Sequence, residues 1–311
     1  NPLHVLRDAS LLLKAQTTKL GLFLINDPFT PTAVQKVLLQ CEGECLPGIM
    51  GAVDLCHPRM WGNVMVKEVK TRVGVVVAAF SEVLDDIIKK AQGEQLASDA
   101  QRIKDKTLAS TGQVWEACDA LIELEKLGLV GLVVKKVENF RGMLKDAIEE
   151  LKEWGEDCED QDEGFVGSDH EDRNSVEDMF SAANKLPTHR EDLKDALTET
   201  LRRLKLVDML FQALLKRRIK GFPYKPPTWD GAEAGTLIED NLYKLDELVV
   251  ILKRIPEGVD DLANGFYELD IEDVHAVLGR VCDEAEKAAT LVTGAWDSKE
   301  DEFTNWERKW R

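Results

Sequence analysis

Between Trp61 and Ile88 the chain places Val66, Val69, Val73, Val76, Val77, Phe80, Leu84 and Ile87 mostly three or four residues apart. The valines would suit a strand by composition. A strand, however, repeats every two residues and seldom runs past about ten. A stretch this long with a three-four period buries one face as a helix. The pattern recurs along the chain. Leu6, Leu13 and Leu20 fall in a predicted helix over 3–25, and Val34, Val37, Leu38 and Cys41 follow in a second. Val133, Val137, Phe140, Leu144, Ile148 and Leu151 mark a helix over 129–154, preceded by one over 100–127. Leu193, Leu197, Leu204, Phe211 and Leu215 form one later stripe, and Leu242, Leu245, Val249 and Leu252 another. Val274, Val277, Leu278, Val281 and Ala285 form the next. Aromatic residues are 6% of the chain, so the apolar faces are aliphatic, unlike those of most sheets. The fold class is predicted all-α.

Punctuation supports these bounds. Asn26-Asp27-Pro28 stops the first helix; Thr30 can cap the next, with Pro31 at its first position, where a missing N–H costs nothing. Pro47-Gly48 is expected to kink or break that helix, and Pro256 to stop the Leu242–Leu252 one. Gly128-Leu129-Val130-Gly131 reads as an interhelical turn. Thr188-His189-Arg190-Glu191 is a capping-box pattern, and Asp270 can cap the helix after it. Ser298 is expected to begin a short terminal helix.

At 311 residues the chain exceeds the size at which single cores stop growing. The boundary lies where composition shifts: Glu153 to Asp178 holds twelve carboxylates against one arginine, Arg173. Like charges repel there and little apolar surface is available to bury. The expected organisation is two antiparallel helical bundles, 1–154 and 174–311, joined by an acidic linker over 155–173.

The net charge of −18 opposes direct binding of nucleic acid or anionic membranes and suits solubility or a basic partner. The most apolar run, Val73 to Phe80, is too short to span a membrane, and no leader-type segment is read. Cys41, Cys45, Cys56, Cys118, Cys158 and Cys282 are scattered through apolar stretches, as buried free thiols of cytosolic or nuclear proteins are.

Little in the sequence points to catalysis. There is no Gly-x-Ser-x-Gly elbow and no phosphate-binding Gly-x-x-x-x-Gly-Lys loop. Glu272-x-x-His275 fits half of a helical di-iron motif, but the nearest second copy, Asp54-x-x-His57, has aspartate for glutamate and Pro58 directly after it. Cys41, Cys45, Cys56 and His57 are zinc-competent residue types, yet ligand pairs favour a tight knuckle over mid-helix positions. They read as core. No catalytic residue, cofactor or metal is expected.

Gln113-Val114-Trp115-Glu116-Ala117-Cys118 lies upstream of a helix ending Lys145-Asp146-Ala147-Ile148-Glu149-Glu150, followed by the acidic run. With the Pro31-to-Leu84 region, and with Leu245-Asp246-Glu247-Leu248 leading to Val259-Asp260-Asp261-Leu262-Ala263, this order resembles the cyclin-D1-binding protein 1 family, also called Grap2 and cyclin-D-interacting protein. The resemblance implies an all-helical, non-enzymatic binder in nucleus and cytoplasm. It further implies a negative regulator of the cell cycle and transcription that engages cyclin D and helix-loop-helix proteins. It marks no contact residue.

The residues themselves offer two partner-binding features. The first is Glu156, Asp157, Glu159, Asp160, Asp162 and Glu163, a polyanion suited to a basic client or simply a solvated linker. The second is Phe303, Trp306 and Trp310, a terminal stripe that either docks the last helix or meets a partner. Arg202, Arg203, Lys205, Lys216, Arg217, Arg218, Lys220 and Lys225 contain one acid among them, Asp208. They read as complements to a helix end, with a nuclear-localisation signal or a seat for the acidic run as alternatives. The expected function is a protein-binding adaptor. The alternative is an acidic escort for a basic client such as a ribosomal protein or histone.

Overall fold

The computed structural model describes residues 1–93, 100–156, 186–187, 189–224 and 236–311. Among these the regular structure is helical throughout: α1 Pro2–Ile25, α2 Pro31–Gln40, α3 Leu46–Leu55, α4 Pro58–Ala91, α5 Ala100–Glu156, α6 Glu191–Leu214, α7 Thr236–Tyr267, α8 Ile271–Leu291 and α9 Glu302–Trp310. No described residue is in a strand. The chain divides into two compact units. One comprises Asn1–Leu132 and Tyr224–Tyr243, the other Val133–Pro223 and Lys244–Arg311. The expected linker, from residue 157 onward, lies outside the described residues.

In the first unit α1 packs against α2, α3 and α4. The heptad leucines Leu6, Leu13 and Leu20 are buried, and meet a core that includes Ile49, Trp61, Met65 and Val76. Each such side chain contributes roughly 1.5–3 kcal/mol of apolar burial. The α4 stripe differs from expectation in detail. Val83 is buried, Leu84 is half-buried and Val77 is 45% exposed, because the face rotates as a 3.6-residue helix advances. Tyr224 belongs to this unit: its hydroxyl donates to the Met60 carbonyl at 2.9 Å and its ring lies 5.9 Å from that of Trp61.

In the second unit α6 packs on α8. Val133, Val137, Leu144 and Leu151 of α5 are buried, as are Leu193, Leu204 and Phe211 of α6 and Leu252, Leu262 and Phe266 of α7.

Several punctuation marks act differently from their sequence expectation. Pro47 does not break the chain's helical course. A π-helical turn over Cys41–Cys45 precedes α3, and the Leu46 N–H reaches back to the Cys41 carbonyl. Widening the turn relieves the clash a proline ring makes with the carbonyl four residues earlier. Pro256 sits inside α7 and does not stop it. Leu252, Ile255 and Val259 around it are all buried, so packing on both sides outweighs the lost hydrogen bond. The terminal helix starts at Glu302, capped by Asp301, and not at Ser298, whose φ is +65°. Thr30 precedes α2 without a capping bond; its hydroxyl donates to the Pro28 carbonyl at 3.2 Å. Thr188 lies outside the described residues, and α6 begins after Arg190.

The expected turn between 127 and 129 is a break at Gly128, with φ 59° and ψ −168°, inside the span of α5. Only glycine adopts that backbone region without strain. Asp270 caps α8 as expected, accepting from the Glu272 and Asp273 amides.

Candidate partner-binding surface

Arg218 organises the surface of the second unit. It lies just beyond α6, in a π-helical turn over Leu215–Ile219, and is 1% exposed. Its position continues the Phe211, Leu214 and Leu215 stripe, so helical spacing drives it inward. A buried guanidinium must have its donors satisfied. Nε donates to the Val292 carbonyl at 2.7 Å and Nη2 to the Thr293 carbonyl at 2.9 Å. Nη1 and Nη2 donate to the two carboxylate oxygens of Asp301 at 2.7 and 2.9 Å. The guanidinium carbon also stands 4.3 Å from the Phe303 ring centre. The Arg218 guanidinium holds the Asp301 carboxyl well below the ordinary carboxylate range, helped by the Thr304 amide and hydroxyl.

Asp301 does two things. Besides pairing with Arg218, it accepts from the Phe303 and Thr304 amides at 3.0 and 3.1 Å. The Thr304 hydroxyl oxygen in turn accepts from the Asp301 amide, which completes a capping box. The α9 helix is thereby fixed at its start. At its other end the Trp310 indole N–H donates to the Leu206 carbonyl at 2.9 Å. The predicted aromatic stripe therefore divides its work. Phe303 is buried, whereas Trp306 and Trp310 are half-buried, with stacked rings 6.1 Å apart.

This docking leaves an open groove of about 350 Å³ between α6 and α9, lined by Met209, Gln212, Ala213, Lys216, Arg217, Glu302, Phe303 and Trp306. Met209 is 49% exposed there. A second cleft, of about 530 Å³, lies on the other side of Gln212 and Lys216. Glu138, Arg141, Gly142 and Lys145 of α5 line it together with Leu215 and Lys220. Arg141 is held by Asp208 through two bonds of 2.6 and 3.0 Å, and Lys220 lies 3.3 Å from Glu138. Lys145 and Lys216 are exposed, and neither has an acidic partner among the described residues.

The basic run is thus no uniform cationic strip. Arg202 and Arg203 both bind Glu199, whose carboxyl is pulled down to about 2 by those two side chains. Arg217 pairs with Glu302 and Arg218 with Asp301. Lys225 lies outside the described residues. Of the acidic candidates, Glu156 is exposed at the end of α5, 3.8 Å from the Lys152 ammonium. Asp157, Glu159, Asp160, Asp162 and Glu163 lie outside the described residues.

His57 caps α4, its Nδ1 accepting from the Arg59 amide at 3.3 Å. Glu272 sits in the first turn of α8. Cys41, Cys45, Cys56 and Cys118 are buried thiols; burial pushes Cys41 and Cys118 up to about 12 and Cys56 to about 11. Among the described residues no group of three or more His, Cys, Asp or Glu side chains could hold a metal ion. No helix among them is long and apolar enough to cross a membrane.

The Arg218–Asp301 lock was not singled out from sequence. Its signal was present: Arg218 falls on an apolar stripe, and Asp301-x-x-Thr304 has cap spacing. What joins them, a contact across 83 positions, leaves no local trace.

These features define an all-helical protein that offers open, partly aromatic grooves on a helical scaffold. Residues 5–157, just under half of the chain, match the family model described as "Grap2 and cyclin-D-interacting, N-terminal". The chain is similar to the cyclin-D1-binding protein 1 homolog of Xenopus laevis, 30% identical over 147 residues that make up 47% of this chain and 41% of that protein. The homolog of Danio rerio is 26% identical over 155 residues, 48% of this chain and 41% of that one. An uncharacterized protein of Schizosaccharomyces pombe is 24% identical over 312 residues, covering all of this chain and 83% of the relative. The chain thus aligns with less than half the length of the two named vertebrate relatives. No solved structure matches.

Proposed function

We propose that this protein is a non-enzymatic adaptor that binds protein partners, of the cyclin D or helix-loop-helix type, and restrains the cell cycle or transcription from the cytoplasm and nucleus. The observation that carries the reading is the match of residues 5–157 to a family described as cyclin-D-interacting. The relatives named cyclin-D1-binding protein 1 homologs support the partner class. The grooves beside Trp306 and Lys216 suit such work, because half-exposed tryptophan and methionine next to cations are typical anchors for a partner helix. Trp306 then belongs to the partner surface, while Phe303 and Trp310 hold the last helix in place.

A second reading, the acidic escort, is favoured by the twelve carboxylates between Glu153 and Asp178. In it Glu156, Asp157, Glu159, Asp160, Asp162 and Glu163 engage a basic client. The test is affinity capture with the full chain and with residues 155–173 replaced by a neutral Gly/Ser linker, washed at low and high salt. A cyclin or helix-loop-helix protein retained through both changes supports the adaptor. A basic client lost by either change supports the escort, since exposed charge attraction is screened over about 10 Å at 0.1 M salt.

A further inference from the structure

Met209, Gln212, Ala213, Lys216 and Lys220 advance along one side of α6 and the π turn that extends it. At about 1.5 Å per residue they span roughly 16 Å, the length of three helical turns. One flank of this rail carries the apolar Trp306, Phe303, Met209 and Ala213, with the paired Arg217 and Glu302 beside them. The other flank is basic, with Arg141, Lys145, Lys216 and Lys220 around a single carboxylate, Glu138. Arg141 and Lys220 are each tied to an acid, but Lys145 and Lys216 have no acidic partner among the described residues. This local cation surplus stands on a chain whose net charge is −18.

We infer that the two clefts flanking Gln212 and Lys216 form one docking site for an amphipathic helix of a partner protein, with its apolar face on Met209, Ala213 and Trp306 and its acidic face on Lys145 and Lys216. The inference rests on the adaptor reading and specifies its partner chemistry. Charge complementarity selects the occupant. Over the whole molecule an acidic peptide is repelled and a basic one attracted, so a preference for the acidic peptide arises only from the local cleft. The helical form follows from the rail: its side chains recur every three or four residues between the two clefts, the pattern a partner helix matches with its own three-four spacing.

The experiment uses the full chain and two labelled designed peptides. Each carries leucines at i, i+3, i+4 and i+7; the remaining positions are glutamate in one and lysine in the other, and binding is read by fluorescence anisotropy. The acidic peptide is expected to bind at least about tenfold more tightly than the lysine peptide. Lys145→Glu with Lys216→Glu should weaken it by about tenfold or more, and Met209→Asp should abolish it. All three side chains are exposed, and circular dichroism checks that the fold is kept. Preference for the lysine peptide, or acidic binding untouched by these substitutions, overturns the assignment. So does acidic binding that appears only after residues 157–173 are replaced by a Gly/Ser linker, since the chain's own acidic run is then the occupant. The adaptor reading is tested apart, by capture with purified cyclin D or helix-loop-helix protein. If capture survives Lys145→Glu, Lys216→Glu and Met209→Asp, the adaptor stands and this docking site falls. If neither protein is captured by the unaltered chain while the acidic peptide still binds as expected, the adaptor reading falls and the site stands.

Discussion

Asp301→Asn separates two roles that one side chain performs. Asparagine caps a helix as well as aspartate does, so the bonds to the Phe303 and Thr304 amides should persist. What is lost is the charge opposite Arg218, a guanidinium with 1% exposure. Breaking a buried pair by removing one partner costs about 3–5 kcal/mol. Here the carboxylate side is 37% exposed, and the Val292 and Thr293 carbonyls still accept from the arginine, which lowers the cost. About 2–3 kcal/mol is expected, or roughly a 30- to 150-fold rise in local opening. Hydrogen exchange of peptides covering 292–310, with α1 as an internal reference, reads that opening directly. Asp301→Ala should add about 1 kcal/mol for the lost cap.

The pair itself is isolated by a cycle with Arg218→Met, in which about 2 kcal/mol of coupling should appear. Coupling below about 0.5 kcal/mol would refute the reasoning, since the cost would then belong to packing. The acid response gives a second handle. Asp301 has a depressed folded pKa, so its contribution is complete above the unfolded value of about 4 and is lost as pH falls from there through the folded value. Protection of 292–310 should therefore decline below about pH 4 in the unaltered protein, and less in Asp301→Asn, where Asp297, also held below the ordinary range by Lys299, still responds.

Gly128→Ala places a side chain at φ 59°, ψ −168°, and should cost about 1–3 kcal/mol in thermal unfolding even though nothing crowds the added methyl group. Phe266→Ala empties a fully buried site in the second unit and should cost about 3–5 kcal/mol in denaturant titration. Thiol labelling followed by mass spectrometry should leave Cys41, Cys45, Cys56 and Cys118 unmodified in the native protein at pH 8 and modify them in denaturant, because burial disfavours the thiolate at each. Rapid native labelling at any of the four would contradict the packing around it.

The helical class was legible because three-four periodicity is a local property, repeated from Leu6 to Ala285. Boundaries set by strong caps were legible too, as at Asp270 and Gly128. Where expectation and structure part, a non-local term has outweighed a local rule. Pro256 should end a helix on propensity alone, yet buried neighbours at 252, 255 and 259 keep both sides packed. Pro47 is absorbed by a π turn whose only sequence signature is the proline itself. Ser298 and Asp301 are both cap-type residues three positions apart; Asp301 prevails because Arg218, 83 residues earlier, waits for a carboxylate. The candidate site was half legible. Phe303, Trp306 and Trp310 showed as a stripe, but Lys145 and Met209 acquire meaning only when α5 and α9 flank α6.

The groove also depends on how α9 is held, and this ties the lock to the surface. A nine-residue helix is too short to persist alone in water. It contributes Glu302, Phe303 and Trp306 to the groove only while Arg218, the Phe303 ring and the Trp310–Leu206 bond keep it down. Apparent affinity for a partner helix scales with the docked fraction. Burying Phe303 alone is worth roughly 1.5–3 kcal/mol, and the cap and indole bonds add to it. If docking exceeds the lock's own 2–3 kcal/mol by about 1.4 kcal/mol, Asp301→Asn still leaves more than about nine-tenths of the helix seated. Asp301→Asn should therefore raise exchange in 292–310 while barely moving peptide affinity, whereas removal of 302–311 should abolish binding. A parallel collapse of affinity in Asp301→Asn would mean that the arginine pair supplies nearly all of the docking energy, and that the aromatic contacts follow it.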